Sequence, residues 1–123
     1  MCEWKCTFIL QVILAVGGMG RRDPTGTPSI EQFNPTTKQW RTLTQMATGR
    51  WGAGLVSLGN GIGAGDEVYL VGGSSESSRL SSVLVYNVSS DQWTAMAEMS
   101  VARNGVGVVT TRGGSHDIDR ACD

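Results

Sequence analysis

The sequence predicts an all-β protein built from four-stranded antiparallel units, and three observations carry that prediction. A block of 28 residues recurs, without a gap, 53 positions further along the chain. Glycine is abundant, 17 of 123 residues, beside only 3 prolines, which fits short strands joined by tight turns. Short runs rich in Val, Leu, Thr and aromatic residues alternate with turn-forming clusters, and no helical period lasts beyond one turn.

The recurrence is direct. Residues 29–56 read SIEQFNPTTKQWRTLTQMATGRWGAGLV and residues 82–109 read SVLVYNVSSDQWTAMAEMSVARNGVGVV. Nine of the 28 positions are identical, where ordinary composition gives about two. Among them are Asn34/Asn87, Trp40/Trp93, Met46/Met99, Arg50/Arg103 and Gly52/Gly105. Ile30/Val83, Phe33/Tyr86 and Leu43/Met96 are chemically close. Upstream, Val16-Gly17-Gly18 matches Val71-Gly72-Gly73 at an offset of 55. The two-residue difference falls between residues 19–28 in one copy and 74–81 in the other, and an insertion of that kind marks a surface loop.

The elements of the complete unit follow in order. Residues 52–58 are small and apolar, as in a buried strand. Residues 60–65, NGIGAG, read as a turn. Glu67–Val71 is β-rich and stops at the glycine pair. Residues 83–86 form the third strand, residues 87–91 a tight turn, and Gln92–Met96 the fourth strand, carrying Trp93. Four short strands in about 50 residues make one propeller blade. The chain therefore divides into a non-repeat N-terminus (1–11), a partial blade (12–51), a complete blade (52–104), the first strand of a third (105–111) and an off-pattern tail (112–123). A closed propeller needs about four to eight blades, and two leave open edges that invite pairing with other chains. The sequence is accordingly expected to be a fragment of a longer propeller, a truncated isoform or an incomplete gene product.

Two diglycines, each followed by an aromatic residue, a tryptophan and an Arg-x-Gly, resemble the kelch repeat. The pattern runs Gly17-Gly18, Phe33, Trp40, Arg50-Trp51-Gly52, and again Gly72-Gly73, Tyr86, Trp93, Arg103-Asn104-Gly105. The resemblance spans residues 12–111 and implies a partial kelch β-propeller. It also gives these positions structural roles. Glycines permit unusual backbone angles and close approach, indoles pack between blades, and arginines donate to carbonyls at the blade junction. Within the family, BTB-kelch proteins recruit substrates to cullin-RING ubiquitin ligases and others bind actin. A ligase role requires a BTB region, which these 123 residues do not contain.

Function is expected on the loops that vary while the framework repeats, namely residues 19–28, 44–51, 74–81 and 97–104. The expected contacts with a protein partner are Arg21, Arg22, Asp23, Trp51, Glu76, Arg79 and Asn104. Other classes fit poorly. The net charge is −1, from 10 basic and 11 acidic residues, and no basic stripe marks a nucleic-acid partner. The ten residues 7–16, TFILQVILAV, fall short of the about 20 that cross a bilayer. They compete as a signal-peptide core, but the repeat assigns part of this stretch to a strand. Cys2, Cys6 and Cys122 are an odd set at the chain ends, read as free thiols of a cytoplasmic protein rather than a disulfide framework or zinc site. The one histidine, His116, is too little for the copper site that galactose-oxidase-like kelch propellers carry, so no catalytic, cofactor or metal residue is expected. Asn87-Val88-Ser89 matches a glycosylation sequon. Asn34 occupies the same place before Pro35, so a turn role explains both asparagines.

Overall fold

A computed structural model describes residues 12–22, 24–58, 67–76 and 78–111. Nine strands run in chain order: β1 (Ile13–Val16), β2 (Ile30–Asn34), β3 (Gln39–Thr42), β4 (Gly54–Leu58), β5 (Glu67–Val71), β6 (Ser74–Ser75), β7 (Ser78–Arg79), β8 (Val83–Asn87) and β9 (Gln92–Met96). The first three form one antiparallel sheet, ordered β1-β2-β3. A second sheet is ordered β4-β5-β8-β9, and β6 and β7, between β5 and β8 in sequence, pair as a small hairpin. The two main sheets have the antiparallel order expected of propeller blades, the first holding three strands among the described residues and the second four. The turn expected over 60–65 lies outside the described residues.

Strand periodicity sorts the side chains. In the first blade Ile13, Phe33 and Trp40 stand opposite one another on one face, while Val16 and Ile30 share the other. In the second blade Val68, Tyr86 and Trp93 line one face, and Val83 and Met96 lie on the reverse. The core forms where the blades meet. Ile30 and Leu43 of the first blade pack with Val68 and Tyr86 of the second, and Leu14, Val16, Val88 and Trp93 close round them. The aromatic pair recurs in both blades with the same geometry, Phe33–Trp40 at 5.0 Å and 42° and Tyr86–Trp93 at 4.9 Å and 47°. Trp93 is half-buried against the first blade, whereas Trp40 faces open space among the described residues.

The backbone repeats as closely as the sequence. Gly17 N–H donates to Ser29 O at 2.9 Å and Gly72 N–H to Ser82 O at 2.9 Å. Gly18 N–H donates to Arg50 O and Gly73 N–H to Arg103 O, both at 2.8 Å. Thr27 N–H donates to Gly18 O and Leu80 N–H to Gly73 O, again at 2.8 Å. Gly17 and Gly72 have φ of +65° and +67°, and a Cβ there would strike the carbonyl oxygens of Arg50 and Arg103 respectively. Left-handed backbone and a crowded carbonyl together leave glycine as the residue that fits. Both asparagines cap turns. Asn34 Oδ1 accepts from Thr36 N–H at 2.8 Å and Asn87 Oδ1 from Ser90 N–H at 3.1 Å.

Two sequence expectations change. The strand expected to be buried, residues 52–58, begins at Gly54 and is largely exposed, with Leu55 and Leu58 both open. Its outer neighbour β5 pairs with it, but its inner edge has no ladder among the described residues. The strand expected at 105–111 does not form. This segment is anchored by Gly105 N–H donating to Gly52 O at 2.8 Å, and Val106 and Val108 lie against Gly54. A strand needs a ladder partner, and none for it occurs among the described residues.

Candidate docking face

Four loops converge on one end of the blade pair because the antiparallel pairing puts the ends of β1, β3, β5 and β9 beside the starts of β2, β4 and β8. The residue after the buried arginine, Trp51, is the hub. Its N–H and C=O exchange hydrogen bonds with Ser74, at 3.0 and 2.8 Å. Its indole Nε1–H donates to Pro24 O at 3.3 Å. Ser75 Oγ–H then donates to Thr25 O at 3.1 Å. These bonds tie the loop of the first blade to the β6–β7 hairpin of the second. Arg21 and Arg22 are exposed on the first of these, and Glu76 and Arg79 on the second. Glu76 sits in the hairpin turn at φ +56°. Asn104, exposed, comes beside Gly52 and takes the place in the second blade that Trp51 takes in the first. The structure thus brings Arg21, Arg22, Trp51, Glu76, Arg79 and Asn104 to one face. Asp23 lies outside the described residues, as do His116 and all three cysteines. Trp51 is half-buried and braces the loops.

Beneath this face lies the junction. Arg50 is buried, and its Nη1 donates to Gly72 O at 3.2 Å and to Ser82 Oγ at 2.7 Å in the second blade, with Nε reaching Thr48 O at 3.4 Å. Burial lowers its pKa, yet a guanidinium stays charged. This is the carbonyl-bridging role expected of the motif arginine. Arg103, its repeat partner, is exposed among the described residues.

A clasp on the outer side of the junction went unread in the sequence. Asp91 accepts from Thr44 N–H and Thr44 Oγ–H of the first blade, both at 2.9 Å, and from the Tyr86 hydroxyl at 2.6 Å. Trp93 Nε1–H donates to Thr44 O at 2.8 Å. The Tyr86 and Thr44 bonds hold the Asp91 carboxyl below its ordinary range. Burial first, then the Asp91 bond and charge, push the Tyr86 hydroxyl up from 10.0. The signal was present: Asp accompanies Tyr in one copy and Lys38 accompanies Phe33 in the other, so the acceptor occurs where a hydroxyl needs it. Among the described residues no buried side-chain nitrogen or oxygen lacks a partner. No group of three His, Cys, Asp or Glu is placed to hold a metal there, and no helix is long and apolar enough to cross a membrane.

Comparison with known proteins bears on this arrangement. The family model described as the kelch motif matches residues 5–47 and 63–100. "Kelch-like protein 21" of Rattus norvegicus is 33% identical over 98 residues, covering 79% of this chain and 15% of that protein. The Homo sapiens protein of the same name is 32% identical over 98 residues, with the same coverage. The chain therefore matches a span of 15% of the length of these relatives. Among solved structures, a fungal alcohol oxidase of the AA5 family in complex with copper superposes with a TM-score of 0.65 at 16% identity, over 79% of this chain and 21% of that one. At that identity the likeness is one of fold.

Proposed function

The chain belongs to the kelch-repeat family, and from that premise we propose that it is a protein-recognition module that docks its partner on the loop face around Trp51. The observation that carries this reading is the bonding of the varying loops into one surface by the repeating framework, through the Trp51–Ser74, Trp51–Pro24 and Ser75–Thr25 hydrogen bonds. Rigid loops lose less entropy on binding than free ones. Arginine and tryptophan are the residues that most often dominate interface energy, and Arg21, Arg22 and Arg79 stand round the hub. A partner surface rich in carboxylates or backbone carbonyls suits that set.

In a longer parent chain that supplies a BTB region, this face would be the substrate-recognition part of a cullin-RING ubiquitin ligase adaptor. Actin is the alternative partner, and the cytosol the compartment in either case. A catalytic reading has no support in the loop chemistry. The test compares affinity capture by the wild-type chain with capture by the R21E/R22E/R79E variant, after circular dichroism has shown the same sheet content in both. The partner should be lost by the variant. Partners held equally by both would refute the loop face as the docking surface. Co-sedimentation with filamentous actin separates the two partner classes.

A further inference from the structure

Basophilic protein kinases hold an arginine three residues before the hydroxyl they modify, pairing its guanidinium with carboxylates of their own. Among the described residues that spacing occurs three times, as Arg22 before Thr25, Arg41 before Thr44 and Arg79 before Ser82. The sequence treats the three alike, and the structure separates them. Thr25 is half-buried, its carbonyl accepts from Ser75 Oγ–H, and the carbonyl of Pro24 before it accepts from the Trp51 indole. Ser82 is half-buried at the junction, where its hydroxyl accepts from buried Arg50 at 2.7 Å and its carbonyl from Gly72 N–H at 2.9 Å. Thr44 is exposed, and the residues leading to it, Gln39–Thr42, form a strand exposed along its whole length. An extended, open segment that carries the arginine is what such a kinase can lay hold of.

We propose that Thr44 is a phosphorylation site and that its phosphate releases the outer clasp between the blades. Every hydrogen bond that Thr44 makes runs to the second blade. Its N–H and Oγ–H donate to the Asp91 carboxylate, both at 2.9 Å, and its carbonyl accepts from the Trp93 indole at 2.8 Å. The hydroxyl can enter a kinase only after its bond to Asp91 has opened. Modification therefore captures the open form of the clasp and holds it there.

The Thr44 oxygen attacks the γ-phosphorus of a nucleoside triphosphate, and a new O–P bond forms. The bond to the β-phosphate oxygen breaks, its electron pair leaves with the nucleoside diphosphate, and the hydroxyl proton passes to the kinase's carboxylate base. The product has no Oγ proton to donate. It sets a charge of about −2 where a carboxylate oxygen stood 2.9 Å from the hydroxyl, and like charges so placed part. Arg41 lies on the first blade, bound to Gln32 Oε1 at 3.3 and 2.9 Å. Its attraction for the phosphate keeps Thr44 with its own blade and away from Asp91. The Tyr86 bond to Asp91 lies within the second blade and persists, as does the Arg50 bridge to Gly72 and Ser82. The phosphate thus frees one side of the junction and leaves the other closed.

The full chain is incubated with an arginine-directed serine/threonine kinase and magnesium ATP, and the phosphate is located by tandem mass spectrometry. Rates at the three hydroxyls are each divided by the rate for a synthetic peptide of the same segment. On that scale Thr44 should lead Thr25 and Ser82 several-fold. Asp91→Asn removes the acceptor of the Thr44 hydroxyl, and asparagine tolerates the left-handed backbone at this position. It should speed labelling of Thr44 several-fold. Label favouring Thr25 or Ser82, or a Thr44 rate that Asp91→Asn leaves unmoved, would overturn the proposal. The release is read separately on a chain made with phosphothreonine at position 44. That chain should unfold at a lower urea midpoint than the unmodified one and lose hydrogen-exchange protection at the Thr44 amide. In the Asp91→Asn background most of the difference in midpoint should vanish. A midpoint and a protected amide both unchanged by the phosphate refute the release, and so does a loss that persists in full without the Asp91 charge.

Discussion

The Asp91 clasp gives a sharp energetic test. Asp91→Gly removes the carboxylate without straining the backbone, since φ at this position is +54° and glycine accepts that region freely. Three hydrogen bonds go. The two from exposed Thr44 are regained by water and cost a few tenths of a kcal/mol. The Tyr86 hydroxyl belongs to a fully buried residue, and leaving it unpaired costs about 1–2 kcal/mol. Tyr86→Phe alone removes the donor and leaves a solvated carboxylate, costing about 1 kcal/mol. In the double variant nothing buried is left unpaired, so the losses should fall short of their sum by about 1–2 kcal/mol. Urea unfolding followed by tryptophan fluorescence measures this. Losses that add within about 0.5 kcal/mol would refute the claim that Asp91 is held chiefly by the buried phenol. The first blade shows the apolar version of the same site, with Phe33 and Lys38 in these places.

Further outcomes follow from the same geometry. Asp91 has a lowered pKa in the folded chain, so its contribution is present above the ordinary carboxylate range and fades as pH falls through the folded value. Tyr86 is raised, so its contribution is complete below its ordinary 10.0 and is lost as pH climbs beyond it. Wild-type stability should therefore decline at both ends, and Asp91→Asn and Tyr86→Phe should flatten the acid and alkaline limbs respectively in pH-dependent urea titrations. Arg50→Ala strands Gly72 O and Ser82 Oγ and should cost about 3 kcal/mol, with Arg50→Lys recovering part of it in the same assay. Gly72→Ala and Gly105→Ala share a left-handed φ, +67° and +64°, but a Cβ strikes the Arg103 carbonyl only at Gly72. Gly105→Ala should lose about 1–2 kcal/mol and Gly72→Ala about 1–3 kcal/mol more, compared by thermal unfolding. Trp93→Phe should lose about 1 kcal/mol for the missing bond to Thr44 O, read as a shifted urea midpoint.

The blade architecture was legible because its determinants recur in the sequence itself. A diglycine is needed where a strand end meets a carbonyl, a guanidinium where a junction must be bridged, and both occur twice, at offsets of 55 and 53. What pairs only once could not be read from repetition. The Asp91–Thr44 clasp has Lys38 and Ala97 at the corresponding positions, so no repeating residue announces it. The β6–β7 hairpin lies in a Ser-rich stretch without β-formers and owes its shape to the Trp51–Ser74 bridge. The exposure of β4 was also hidden, because Leu55 and Val56 report an affinity for burial but not whether a neighbouring strand is there to provide it. At the docking face, the sequence identified the exposed arginines as loop residues. It did not show that an indole N–H and a serine hydroxyl bind those loops to each other.

The bonds from Thr27 to Gly18 and from Leu80 to Gly73 have a consequence for how such a face can change. Each pinches shut the stem of its loop, enclosing residues 19–26 in the first blade and 74–79 in the second. The two-residue difference between the copies lies wholly inside the pinch, and on either side the chain resumes identical bonding. Length and composition within the stem are thus mechanically uncoupled from strand register. New recognition segments can be spliced into this site while the sheets below keep their alignment, in evolution and at the bench alike.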